Sequence, residues 1–201
     1  MKRQIVIIHG GHALDARENL IERLIKKPVT IEDFKRKKSW RGNLEETLGD
    51  DFEFFFPKMP NKESAKYDEW KTWFEKLTPF INDDVTLIGH SLGGLFLLKF
   101  LSENTFSKKI RALMLVAAPY EGKDKKHALN DNFFFNNDLS KVASQAKDVY
   151  IFHSEDDHIV PFSDFELYKE KLPQAQATTF NDRGHFNTEE FPELRDIIKQ
   201  L

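Results

Sequence analysis

The sequence predicts an α/β fold built on a mostly parallel sheet. Three observations carry that expectation. Six short apolar runs recur along the chain, each ended by glycine, proline or a polar cluster. Helix-like stretches separate most of them, and alternating strand and helix is the pattern of this class. The runs are continuous rather than alternating, as a sheet covered on both faces requires.

Gln4–Ile8 is the first run; it stops before Gly10-Gly11 and reads as a buried strand. A long connection, 12–51, follows and carries the basic run Lys35-Arg36-Lys37-Lys38. Glu32 and Asp33 lie beside that run, so it reads as a solvated face rather than a patch for an acidic partner. Phe52–Phe56 is the second strand, closed by Pro57. Trp70, Trp73, Phe74 and Leu77 then mark one face of a helix. Val85–Ile88 is the third strand, and Leu95, Leu98 and Leu101 give the helix after it. Ile110–Ala117 is the fourth strand, closed by Pro119. A polar stretch, 120–147, carries Phe133-Phe134-Phe135 and reads as a lid or insert. Val149–Phe152 is the fifth strand. Phe165, Leu167 and Leu172 suggest a helix after Pro161 with Ser163 as its N-cap. Ala177–Phe180 is the sixth strand, and Phe191, Leu194, Ile197, Ile198 and Leu201 form a final helix.

The 201 residues fit a single domain, 1–201, since domains commonly run to roughly 100–200 residues. No cysteine is present, which removes disulfides, thiolate nucleophiles, zinc–thiolate sites and iron–sulfur clusters. With 30 basic and 33 acidic residues there is no global field for nucleic acid. The longest apolar run, Ala112 to Pro119, falls short of the ~20 residues of a membrane span. Lys2-Arg3 before Ile5–Ile8 imitates a signal peptide, but the apolar stretch ends below the ~7–15 residues of an h-region. A cytoplasmic location is the expectation.

The chemistry centres on Gly89-His90-Ser91-Leu92-Gly93, set between the third strand and a helix. It matches G-x-S-x-G, a tight turn that lifts a serine hydroxyl above the sheet edge. Glycines flank it because a Cβ there would strike the adjoining strand or helix. At a helix N-terminus, negative charge developing on the reacting oxygen is favoured. A serine nucleophile needs a base, and the base an orienting acid. Candidates follow the fifth strand, in His153-Ser154-Glu155-Asp156-Asp157-His158, and the sixth, in Asp182-Arg183-Gly184-His185.

Asp156, Asp157 and Asp182 compete for the acid. Asp156 should point away from its neighbour, and Asp182 suits an Asx-type turn. His90 reads as a packing or hydrogen-bonding residue, and His9 as a brace for the loop after the first strand. The cluster of His153, Glu155, Asp156, Asp157 and His158 lacks the helical spacing of a metal site. Oxyanion donors should be the Leu92 N–H and one from the glycine loop: Gly11, with His12 as the near alternative.

Together, Gly-His-Ser-Leu-Gly, Asp-Asp-x-x-Val-Pro and Gly-His resemble the α/β-hydrolase superfamily. The wording Ser154 to Phe162, with Trp40, Pro60-Asn61 and Trp70, is similar to small serine hydrolases of the retinoblastoma-binding-protein type. The resemblance runs from about Gln4 to the C-terminus. It implies a three-layer sandwich with strand order 2-1-3-4-5-6. It also implies Ser91 as nucleophile, Asp157 as acid and His185 as base, with no cofactor or metal. The expected activity is hydrolysis of an ester, thioester or amide of a small acyl substrate. Rival readings are a protein-interaction module with an idle triad, and an acyltransferase, lyase or perhydrolase on the same scaffold. Phe133-Phe134-Phe135 either lines an apolar acyl pocket or packs beneath the insert. No nucleic-acid or membrane partner is expected.

Overall fold

A computed structural model describes residues 2–13, 20–35, 38–120, 133–135 and 138–201. Among them six strands form one sheet: β1 (Arg3–Ile8), β2 (Phe52–Phe55), β3 (Val85–His90), β4 (Ile110–Val116), β5 (Ala146–Ser154) and β6 (Gln176–Phe180). Their order is β2-β1-β3-β4-β5-β6 and every pairing is parallel. Seven α-helices accompany them in the described residues: α1 (Leu20–Lys26), α2 (Trp40–Leu48), α3 (Tyr67–Leu77), α4 (Leu92–Glu103), α5 (Ser140–Gln145), α6 (Phe162–Lys171) and α7 (Pro192–Gln200).

Successive strand residues face opposite sides, so each apolar run feeds two cores. Ile5, Ile7, Met114 and Val116 meet Trp40 and Leu44 of α2 and Leu194 and Ile198 of α7. Val6, Ile8, Leu113 and Leu115 meet Trp70 and Phe74 of α3, much of α4, and Phe165 and Tyr168 of α6. That is why the central strands are apolar at every position. The β2 edge departs from this: only Phe52 is buried, and Phe56, expected within the strand, lies beyond it and is 39% exposed.

Several expectations need correction. Trp73 does not share the buried stripe of α3; it is 46% exposed while Trp70 and Phe74 are at 0%. At about 100° per residue the stripe is Tyr67, Trp70, Phe74, and Trp73 falls outside it. Ser163 is not the N-cap of α6, because Pro161 occupies that position and Phe162 is already helical. Strand β5 starts at Ala146, three residues before the expected Val149, so much of the expected loop end is α5 and sheet. Phe133 and Phe135 are buried, edge-on to Trp70 and Tyr120 respectively, and belong to the α3–α4 core. The lid expected over 120–147 falls largely in 121–132 and 136–137, and the middle of the basic run, Arg36-Lys37, in 36–37; both lie outside the described residues.

Candidate active site

The order of strands reverses direction from β1, outward to β2 on one side and to β3 on the other, and the crevice at their carboxyl ends is where open α/β sheets bind ligands. Ser91 stands there, between β3 and α4, with φ 54° and ψ −125°. Such a backbone is rare for a residue with a Cβ and is characteristic of constrained functional turns. Close packing holds it. A Cβ on Gly93 would lie 2.3 Å from the Ile8 carbonyl oxygen, and one on Gly89 2.4 Å from the Gly94 Cα. The Ser91 N–H donates to the Val116 carbonyl at 2.8 Å, tying the turn to β4.

His185 and Asp157 meet in the loops after β6 and β5. Nδ1 of His185 lies 2.7 Å from Oδ2 of Asp157, and both side chains are buried. The other oxygen, Oδ1, accepts from the N–H groups of Ile159 and Val160 at 2.8 and 3.0 Å. Burial pushes the Asp157 pKa up, but the bond from His185 and those backbone N–H groups outweigh it, and the net shift is downward. Asp157 is thus held as a carboxylate. Ser91 and His185 line one cleft of about 1030 Å³, with no hydrogen bond between Ser91 Oγ and His185. Such bonds are commonly long before substrate binds.

The rival acids sit elsewhere. Asp156 accepts from the Ser154 hydroxyl and from the Gly184 N–H at 2.9 Å, tying the β5 loop to the His185 loop. Asp182 is exposed and pairs with Arg183 at 3.4 Å. His153 is buried with Nε2 donating to the Val160 carbonyl at 3.1 Å, so it braces the loop that carries Asp157. No group of three or more potential metal ligands occurs among the described residues. Nor, among those residues, is any helix long and apolar enough to cross a membrane.

On the β1 side, His9 accepts the Met59 N–H on Nε2 at 2.9 Å and donates from Nδ1 to the Gly10 carbonyl at 2.6 Å. It braces the glycine loop, as expected. A Cβ on Gly10 would lie 3.1 Å from Ser91 Cβ, and one on Gly11 2.7 Å from the Lys62 carbonyl oxygen. The His12 N–H donates to that same Lys62 oxygen at 2.7 Å. Leu92 opens α4, where the first N–H groups have no partner within the helix.

Sequence reasoning missed the basic lining. Arg41 from α2, with Lys58 and Lys62 from the loop after β2, reaches the cleft that holds Ser91. They come from two separate segments that show no motif, and only the packing of α2 on the sheet brings Arg41 to the two lysines. Arg41 donates to Nδ1 of His90 at 3.2 Å and lies 5.2 Å from the Trp40 ring.

A parallel 2-1-3-4-5-6 sheet with an elbow serine after its third strand defines an α/β hydrolase. The serine hydrolase family model matches residues 35–200, and the chain belongs to that family. It is 26% identical over 163 residues to the serine hydrolase RBBP9 of Rattus norvegicus, covering 80% of this chain and 83% of the relative. It is also 26% identical over 146 residues to the putative hydrolase YdeN of Bacillus subtilis, covering 70% and 75%. The crystal structure of the B. subtilis ydeN product superposes with a TM-score of 0.75 at 21% identity, covering 99% of this chain and 98% of that one.

Proposed function

We propose that the chain hydrolyses an ester, thioester or amide of a small acyl substrate through an acyl-enzyme at Ser91. The observation that carries this reading is His185, paired with the buried Asp157 and lining the same cleft as the elbow serine. With Nδ1–H donated to Asp157, the lone pair of His185 is on Nε2, the nitrogen able to take the Ser91 proton. As Oγ attacks the carbonyl carbon, that proton passes to Nε2 and then to the leaving group. Water, deprotonated by the same nitrogen, attacks the acyl-enzyme, and the carboxylic acid leaves as Ser91 recovers its proton. Asp157 holds the tautomer and stabilises the imidazolium.

The Leu92 N–H and the Gly11 N–H receive the oxyanion in this reading. Commitment of the His12 N–H to Lys62 supports Gly11 over His12. The test is product analysis on a panel of aryl esters, thioesters and aminoacyl amides. Wild type releases free carboxylic acid, and Ser91→Ala lowers kcat by about 10³-fold or more. Equal turnover by the two proteins rejects the reading.

A further inference from the structure

We propose that the substrate carries an anionic group close to its scissile carbonyl, recognised by Arg41, Lys58 and Lys62. The inference rests on the serine-hydrolase reading of the cleft and names its substrate class.

The chain as a whole has a net charge of −3, yet its active cleft is basic. Among the described residues lining it, Arg23, Arg41, Lys58 and Lys62 face a single acid, Glu63. That acid is already taken, since its Oε2 lies 2.9 Å from Arg23 Nη2. No ion pair among the described residues involves Arg41, Lys58 or Lys62.

Arg41 is the informative member. Its guanidinium is partly buried, one N–H goes to the neutral acceptor Nδ1 of His90, and its face lies near Trp40. A partly buried charge without a counter-charge is costly, and an incoming anion offsets that cost. The rest of the fork suits a carboxylate or phosphate, which it can bind through two parallel bonds. Neighbouring groups register the same positive field. The His9 imidazole is held below its ordinary value chiefly by burial and further by Lys62 and Arg41. Arg41 acts in the same sense on His90. Arg41 lines the same cleft as Ser91, so an anion it holds shares the cleft with the reacting carbonyl.

The charge belongs either to the acyl part or to the leaving group, and two matched ester pairs separate these. An aryl hemiadipate against its aryl methyl adipate places the carboxylate on the acyl side. A 4-acetoxybenzoate against its methyl ester places it on the leaving group. In at least one pair the anionic ester should have the higher kcat/KM, by about 10-fold. Arg41→Gln or the Lys58→Gln/Lys62→Gln pair should bring that ratio towards one, as should 0.5 M salt, roughly, by screening. Ratios at or below one in both pairs, or a preference untouched by Arg41→Gln and the lysine pair, overturn the inference. Calorimetric binding of each intact ester to Ser91→Ala judges charge preference without turnover. Failure of the serine reading shows separately, as unimpaired cleavage by Ser91→Ala.

Discussion

His90 donates from Nε2 to the backbone carbonyl of His185 across 2.9 Å, so the residue beside the elbow serine holds the loop that carries the histidine. The tautomer follows from Arg41, which can only donate and therefore meets an acceptor at Nδ1. Trp40 Nε1 reinforces the same loop by donating to the Phe186 carbonyl at 3.0 Å, and its ring stands edge-on to His90. His90→Phe leaves the His185 carbonyl and one Arg41 N–H unsatisfied. It should lower unfolding free energy by about 1–3 kcal/mol in urea titrations. An unchanged midpoint would mean that the bond does not brace the loop.

Acid should destabilise the fold in two stages. Burial, with Arg41 and His185 nearby, pulls the His90 pKa from 6.5 down to about 3. His9 and His153 are also lowered, in both cases chiefly by burial. An unfolded chain then binds more protons than the native one below pH 6.5, so stability falls as pH drops through that window. His90 alone contributes a slope of about 1.4 kcal/mol per pH unit at most. Asp157 is depressed below its ordinary 3.8, so its contribution is lost only further down, as pH falls through its native value. Urea unfolding at a series of pH values checks this; greater stability at pH 5 than at pH 7 would contradict it.

The adjacent aspartates should separate cleanly. Asp157→Asn removes the carboxylate charge and, with its remaining oxygen held by the Ile159 and Val160 N–H groups, turns an amide NH2 towards His185 Nδ1. The wrong tautomer results, and kcat should fall by about 10³–10⁴-fold. Asp156→Asn keeps an oxygen for Ser154 and Gly184 and should cost less than about 10-fold. Steady-state kinetics on both variants decides, and a reversed order would make Asp156 the acid.

Glycine positions offer a paired stability test. Gly93→Ala forces a Cβ into the Ile8 carbonyl and should cost about 3 kcal/mol or more. Gly42 lies within α2 with nothing within 4 Å of its added Cβ, so Gly42→Ala should raise stability by up to about 1 kcal/mol. Thermal melts of both variants provide the check.

Much of this was legible in the sequence, and for a physical reason. Strands such as Ile5–Ile8 and Leu113–Val116 bury both faces, so their apolar runs are unbroken and easily read. The elbow and the Asp-Asp and Gly-His pairs are local patterns at strand ends, and they converge as the topology requires. What escaped depends on tertiary contacts. Ser163 reads as a helix cap only until Pro161 is seen to hold that position. Phe133 and Phe135 read equally as pocket lining or as packing in the sequence, and Tyr67, Trp70 and Tyr120 around them make them core. Arg41, Lys58 and Lys62 converge from two separate segments, and neither segment alone announces a basic cleft.

The most direct measurement is active-site labelling with a fluorophosphonate, followed by peptide mass spectrometry on wild type and Ser91→Ala. One adduct per wild-type chain, located on Ser91 and absent from the variant, is the predicted result. An adduct on another residue, or labelling that persists in Ser91→Ala, would contradict Ser91 as the nucleophile.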